Sequence, residues 1–299
     1  MTNTLFVGID VSKKSNVIRL ADSTGVTLSL FNAPNNQDGA NLILKKLKDT
    51  LLHTDFSSLI IGMESTSIYA DHLAVFLRND DFLKKWCVKV HILNAKQVNK
   101  FKESYPELPK NDNIDTLIIA DYLRFGRIAK EVNLDEKYIA LRNLTRARFQ
   151  AAQNLSREKT RFLDTLFYKF SALDSSKVFS DTFGATSIAV ISEFFSVDDI
   201  NDMPMENLAD FIAQKGKNKF TDPEQIAAEL KAAARSSYRL SKTVNDSVNQ
   251  LLAVRMIGIK SIQQQIKDLD KAIESYMQLF PDILTSIPGI GPVYSAGIL

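Results

Sequence analysis

The stretch LFVGID at residues 5–10 decides how the N-terminal part of the chain folds. Its apolar and β-branched residues predict a strand that ends at an acid, Asp10. Two more short runs follow, VIRLA at 17–21 and VTLSLF at 26–31, and turn-prone polar residues separate the three. We therefore expect an antiparallel three-stranded meander.

Helical and strand-like patterns alternate over the next hundred residues. Leucines at helical spacing predict a helix over 41–52, and further helices are predicted over 68–77 and 114–125, the last with Asp112 as N-cap. Apolar runs at 58–63 and 88–93 predict a fourth and a fifth strand. This order describes an α/β domain of ribonuclease H-like type over residues 1–130.

From about residue 135 the pattern becomes helical, with one long helix predicted over 141–170. Four of its arginines lie on an arc separate from the apolar stripe. Two interpretations stay open, a solvated face or a track for nucleic-acid phosphates, which guanidinium groups bind bidentately. The four arginines are Arg142, Arg146, Arg157 and Arg161.

The remaining sequence divides into three predicted parts. A basic helix with a helical insert covers 131–222, and a coiled-coil arm covers 223–281, where apolar residues repeat every three or four positions around Arg255. The arm packs within the chain or against a second copy. Residues 282–299 begin another domain, whose glycine turn at 288–291 is either a helix-breaking turn or a phosphate contact.

Four acids are the candidate catalytic and metal-ligating residues: Asp10, Glu64, Asp112 and Asp115. Asp10 and Glu64 end strands that neighbour each other in a ribonuclease H-like sheet, and the other two lie three apart at a helix start. Two carboxylates about 4 Å apart repel by roughly 4 kcal/mol at an effective dielectric near 20. Hard cations such as Mg²⁺ or Mn²⁺ would relieve this and assist phosphodiester cleavage. Singly, each acid also has a structural interpretation as a turn or cap residue.

Overall composition excludes several classes of protein. One cysteine cannot form an internal disulfide, and a net charge of +2 does not identify a partner. No apolar run is long enough to cross a bilayer and no signal peptide is visible, so we expect a cytoplasmic protein.

Lysines between 84 and 102 form a second candidate phosphate surface, or a solvated one: Lys84, Lys85, Lys89, Lys96, Lys100 and Lys102.

Several motifs are similar to the DEDD transposases of the insertion-sequence one-ten family, which includes Piv-type invertases. They are GIDVSK, GMESTSIY, K-x-D-x-I-D, LRxLxR, RxKxR and SIPGIGP, in this order along nearly the whole chain. The resemblance implies a RuvC-like nuclease domain, a coiled-coil arm and a C-terminal domain. It also implies a site-specific DNA recombinase that acts on donor and target DNA as a homodimer or homotetramer in the bacterial nucleoid. At least some members use a non-coding bridge RNA as guide.

Carried onto this chain, the family pattern assigns Mg²⁺ to the four acids, with Thr116 where an alanine is usual. The family's catalytic serine lies further on than the last residue here, and Ser286 and Ser295 are not at its place. We therefore expect a chain that binds metal and nucleic acid without completing recombination. Strand exchange by this chain alone would refute that expectation.

Three alternatives compete with this interpretation. A sugar-kinase-like phosphotransferase would need a glycine soon after Asp10, where residues 11–13 are VSK. A non-catalytic nucleic-acid-binding protein would use the acids structurally. A Holliday-junction resolvase would not need the long arm.

Overall fold

A computed structural model describes residues 3–64, 67–105, 111–126, 128, 135–173, 175–281 and 284–299. Ser65, Thr66 and Lys110 of the quoted motifs lie outside the described residues, as do the predicted boundaries at 130–131 and 282. The chain divides into two compact units, Met1–Ile139 and Ala140–Leu299, which are described separately below.

The first unit contains a mixed five-stranded sheet, as the sequence predicts. Its strand order is β3-β2-β1-β4-β5, with β1, β2 and β3 antiparallel and β4 parallel to both β1 and β5. The carboxyl ends of β1, β4 and β5 therefore lie at the same edge. The strands are β1 (Thr4–Val11), β2 (Ser15–Ala21), β3 (Thr27–Pro34), β4 (Ser58–Glu64) and β5 (Lys89–Leu93).

Helices cover both faces of this sheet. On one face α1 (Gln37–His53) and α2 (Asp71–Asn79) pack on residues such as Val7 and Ile9 of β1. On the other face lie α3 (Ala95–Lys102) and α4 (Asp112–Arg124). The sequence patterns did not predict α3.

Two glycines allow α4 to lie close to the sheet. Gly8 of β1 and Gly62 of β4 are register partners. A Cβ atom on Gly8 would lie 2.3 Å from the backbone oxygen of Thr116, and one on Gly62 would lie 2.8 Å from a methyl of Leu123. Both distances are shorter than a van der Waals contact, and at Gly8 the close atom is backbone, so α4 can keep its position only above a glycine there.

The second unit is built from helices, as expected. Its core joins α5 to the shorter helices and to α10 through residues such as Phe162, Leu230 and Leu252. The division between the units falls within the first turns of α5. The helices are α5 (Glu136–Lys169), α6 (Ala185–Glu193), α7 (Val197–Asp202), α8 (Met205–Lys215), α9 (Pro223–Ser236), α10 (Lys242–Met277) and α11 (Pro292–Ile298).

Helices α5 and α10 run antiparallel and are joined by polar contacts. Arg148 Nε lies 2.8 Å from an oxygen of Asp270. Arg255 of α10 donates to two residues further along α5, to Glu158 at 2.9 Å and to the hydroxyl of Thr165 at 3.0 Å. Arg255, which interrupts the apolar repeat in the sequence, thus pairs within the chain. Among the described residues, no helix has the length and apolar character of a membrane span.

Candidate metal centre

Asp10 and Glu64 end β1 and β4 side by side, since their Cα atoms are register partners. Side chains along a strand alternate between the two faces of the sheet. Phe6 of β1 packs in the core with α4, and Gly8 lies beneath α4. Asp10, two residues further, belongs to the same face.

The first turn of α4 brings two more carboxylates to Asp10. Asn111 caps this helix, its side-chain oxygen accepting from the backbone N–H of Ile114 at 2.9 Å, so the predicted cap at Asp112 is wrong by one residue. Carboxylate oxygens of Asp10, Asp112 and Asp115 lie within 4.8 Å of one another. Glu64 is not in this group of three.

Burial and the neighbouring carboxylates raise the pKa values of two of these acids, Asp10 and Glu64. The pKa of Glu64 is raised to about 7, chiefly by burial and then by Asp10 and Asp115. The pKa of Asp10 is also raised, chiefly by burial and then by Asp112 and Asp115. Each raised pKa means that ionising the group costs free energy in the folded protein.

A lysine from α3 partly offsets this repulsion. Lys102 Nζ donates to the Asp115 carboxylate and is mostly buried, and its charge lowers the pKa values of Asp10 and Glu64. The sequence grouped Lys102 with surface lysines, and this placement is wrong because it faces α4. Lys96 and Lys100, on the same helix, are exposed.

The donor set fits a hard divalent cation. All the groups are carboxylates, which Mg²⁺ and Mn²⁺ prefer to nitrogen or sulfur ligands. The pKa values of Asp10 and Glu64 are raised first by burial and then by the neighbouring carboxylates, while Lys102 acts in the opposite direction. A divalent cation would offset the repulsion among these carboxylates, so the residues present suit such an ion.

The predicted phosphate-binding arginines of α5 lie in the second unit and differ in exposure. Arg146, Arg157 and Arg161 are exposed, and Arg161 lies 3.4 Å from Glu158. Arg142 is half-buried, so it presents less of its side chain to solvent than the solvated arc in the sequence suggests.

The first unit is thus an α/β domain with an oxygen-donor group suited to a divalent cation. A family model described as a transposase, of the DEDD type of IS110 elements, matches residues 7–170. Because this match spans more than half of the 299 residues, the chain belongs to the IS110 family of DEDD transposases, and the resemblance in the sequence is confirmed. A search of curated proteins found no match.

Proposed function

We propose that this transposase cleaves DNA phosphodiester bonds with divalent cations held by Asp10, Glu64, Asp112 and Asp115 in a RuvC-like domain. The observation that carries the proposal is the convergence of carboxylates from β1 and α4 within 4.8 Å. Asp10, Glu64, Asp112 and Asp115 would hold Mg²⁺ or Mn²⁺, which would supply activation of an attacking oxygen and stabilisation of the leaving oxygen of a phosphodiester.

The chain's own residues hold this arrangement before any ligand binds. The sheet fixes Asp10 beside Glu64, and the Asn111 cap fixes the first turn of α4. Lys102 keeps the repulsion tolerable in the free protein. The experiment is a nicking assay on branched and linear DNA, with activity expected in Mg²⁺ or Mn²⁺ and none in EDTA.

Exposed arginine and lysine side chains on α5 and α3 are proposed to bind the nucleic-acid backbone. On α5, Arg146, Arg157 and Arg161 fall within about 60° of one another at 100° per residue, which places them on one face. Lys96 and Lys100 are exposed on α3, which follows the strand edge that carries the acids. Arg142 is kept as a weaker candidate on the same arc.

Removing two of these arginines should change the salt dependence of binding. In an Arg157→Gln, Arg161→Gln double variant we expect the negative slope of log K against log salt to become shallower by about 2, since each duplex phosphate contact contributes about −0.9. Fluorescence anisotropy with a labelled duplex between low and moderate salt measures the slope.

The matched control removes two lysines from the same unit. Lys260 and Lys267 are exposed on α10, and changing both to glutamine alters the net charge equally. The control should keep the wild-type slope. Equal losses in both double variants would show that only the net charge matters and would refute an arginine track on α5.

A guide RNA and a second copy of the chain are the other proposed partners. Family resemblance supports the RNA, and exposed apolar residues of α10, Leu251, Val254 and Ile257, support an arm that pairs with another copy. We expect purified protein to be a dimer or tetramer with an enriched RNA species. Light scattering and sequencing of co-purified RNA test this, and a monomer without RNA would contradict it.

A further inference from the structure

Arg19 of β2 connects the sheet to the first turn of α4. Its Nη2 donates to the backbone oxygen of Asn113 at 2.8 Å, and its Nε donates to the hydroxyl of Thr116 at 3.3 Å. Its Nη1 donates to the hydroxyl of Thr27 on β3 at 2.6 Å. Three nitrogens of one planar group thus each have a different partner, which fixes the orientation of the guanidinium.

Thr116 and Asn113 make these contacts a small network. The hydroxyl of Thr116, which is fully buried, donates to the same Asn113 oxygen at 2.8 Å. Asn113 lies between Asp112 and Asp115 in the chain. The Arg19 network therefore holds the backbone segment from which both carboxylates project.

The position of the network along α4 explains why a polar tether is useful there. From Thr116 onward, α4 is anchored by buried residues such as Ile118 and Leu123. Before Thr116 the described residues of the helix are exposed or half-buried, and Ile114 is the partly buried apolar residue there that packs against the core. Helix ends with few packing contacts tend to fray, and a polar tether beside the Asn111 cap and Ile114 adds a further hold on the turn that carries Asp112 and Asp115.

We propose that Arg19 is a positioning residue for the candidate metal centre, which fixes the first turn of α4 so that Asp112 and Asp115 meet Asp10. This role can be distinguished from general stabilisation of the helix, because a second arginine tethers the other end of α4 and serves as a control. Arg124 pairs with Asp121 and donates to the backbone oxygen of Ser23 at 3.3 Å.

The first measurement is Mn²⁺ affinity of the full-length chain by titration calorimetry, and it rests on the proposed function. We expect Arg19→Met to weaken Mn²⁺ binding about 10- to 100-fold, as loss of residues that orient metal ligands does. Thr116→Val should weaken it in the same direction, and the double variant should lose less than the sum because both act through one network. The Mn²⁺ affinity of Arg124→Met should stay within about twofold of wild type, even if its melting temperature falls by as much as that of Arg19→Met.

A second measurement is independent of metal. Hydrogen exchange of the metal-free protein should show faster exchange of the amides of residues 114–117 in Arg19→Met, with residues 121–125 unchanged, and the reverse in Arg124→Met. Arg19→Lys provides a milder variant if Arg19→Met folds poorly. Unchanged exchange at 114–117, or an equal loss of Mn²⁺ affinity in the Arg124 variant, would overturn the positioning role. If wild type binds no Mn²⁺, the proposed function fails, and the exchange result still decides whether Arg19 fixes this turn.

Discussion

Asp10→Asn should reduce divalent-cation-dependent DNA cleavage by about 1,000-fold or more, which corresponds to about 4 kcal/mol of transition-state stabilisation. Asp10 belongs to the group of three carboxylates, and its register partner on the neighbouring strand is Glu64, so it lies beside the other acids of the proposed site. The amide has the shape of the carboxylate but not its charge. Initial nicking rates at saturating DNA and Mg²⁺ measure the effect.

The control for this prediction is Asp49→Asn, which removes an exposed carboxylate from the second half of α1 in the same unit. Circular dichroism and thermal melting should show that both variants are folded. The control should cleave within about twofold of wild type. Cleavage by the Asp10 variant at the control's rate would remove Asp10 from the reaction.

Glu64→Gln should make the metal-free protein more stable above neutral pH. Folding raises the pKa of Glu64 from 4.5 to about 7, so between these values the folded protein binds more protons than the unfolded chain. The free energy of unfolding therefore decreases as pH rises from 4.5 to 7, and the full cost remains at higher pH. Glutamine avoids this cost, and with allowance for solvent screening we expect a gain of about 1 to 3 kcal/mol at pH 8.

The pH dependence makes this prediction specific. Urea unfolding in EDTA should show the gain at pH 8 and almost no difference at about pH 3.5, where Glu64 is mostly protonated in both the folded and the unfolded state. Addition of Mn²⁺ should stabilise wild type more than the variant. The exposed Glu103→Gln serves as control and should show no such pH-dependent gain. A Glu64 variant no more stable than wild type at pH 8 would contradict the electrostatics of the site.

Local patterns in the sequence predict the sheet and the identity of the acids. LFVGID and the apolar run at 58–63 predict strands, and an acid at each strand end is visible without a structure. The K-x-D-x-I-D spacing places Asp112 and Asp115 within one turn of a helix. What could be predicted in this way depends on neighbours in the chain, where periodicity and turn chemistry act.

Contacts between residues far apart in the chain could not be predicted from these local patterns. Lys102 was predicted to belong to a surface lysine group because its partner, Asp115, lies 13 residues further along the chain on another helix, and α3 is too short for a clear periodic pattern. Arg19 was not predicted to be a site residue, although a charged residue within the apolar run VIRLA was a usable signal. Its significance depends on Gly8, the register partner that lets α4 approach.

The most direct test of the account is anomalous diffraction from crystals of the protein grown with Mn²⁺. We predict an anomalous peak bounded by the carboxylates of Asp10, Asp112 and Asp115, with Glu64 at its edge, and its loss in crystals of Asp10→Asn. Crystals in which these side chains point apart, or in which Mn²⁺ occupies other sites while this one is vacant, would contradict the proposed metal centre.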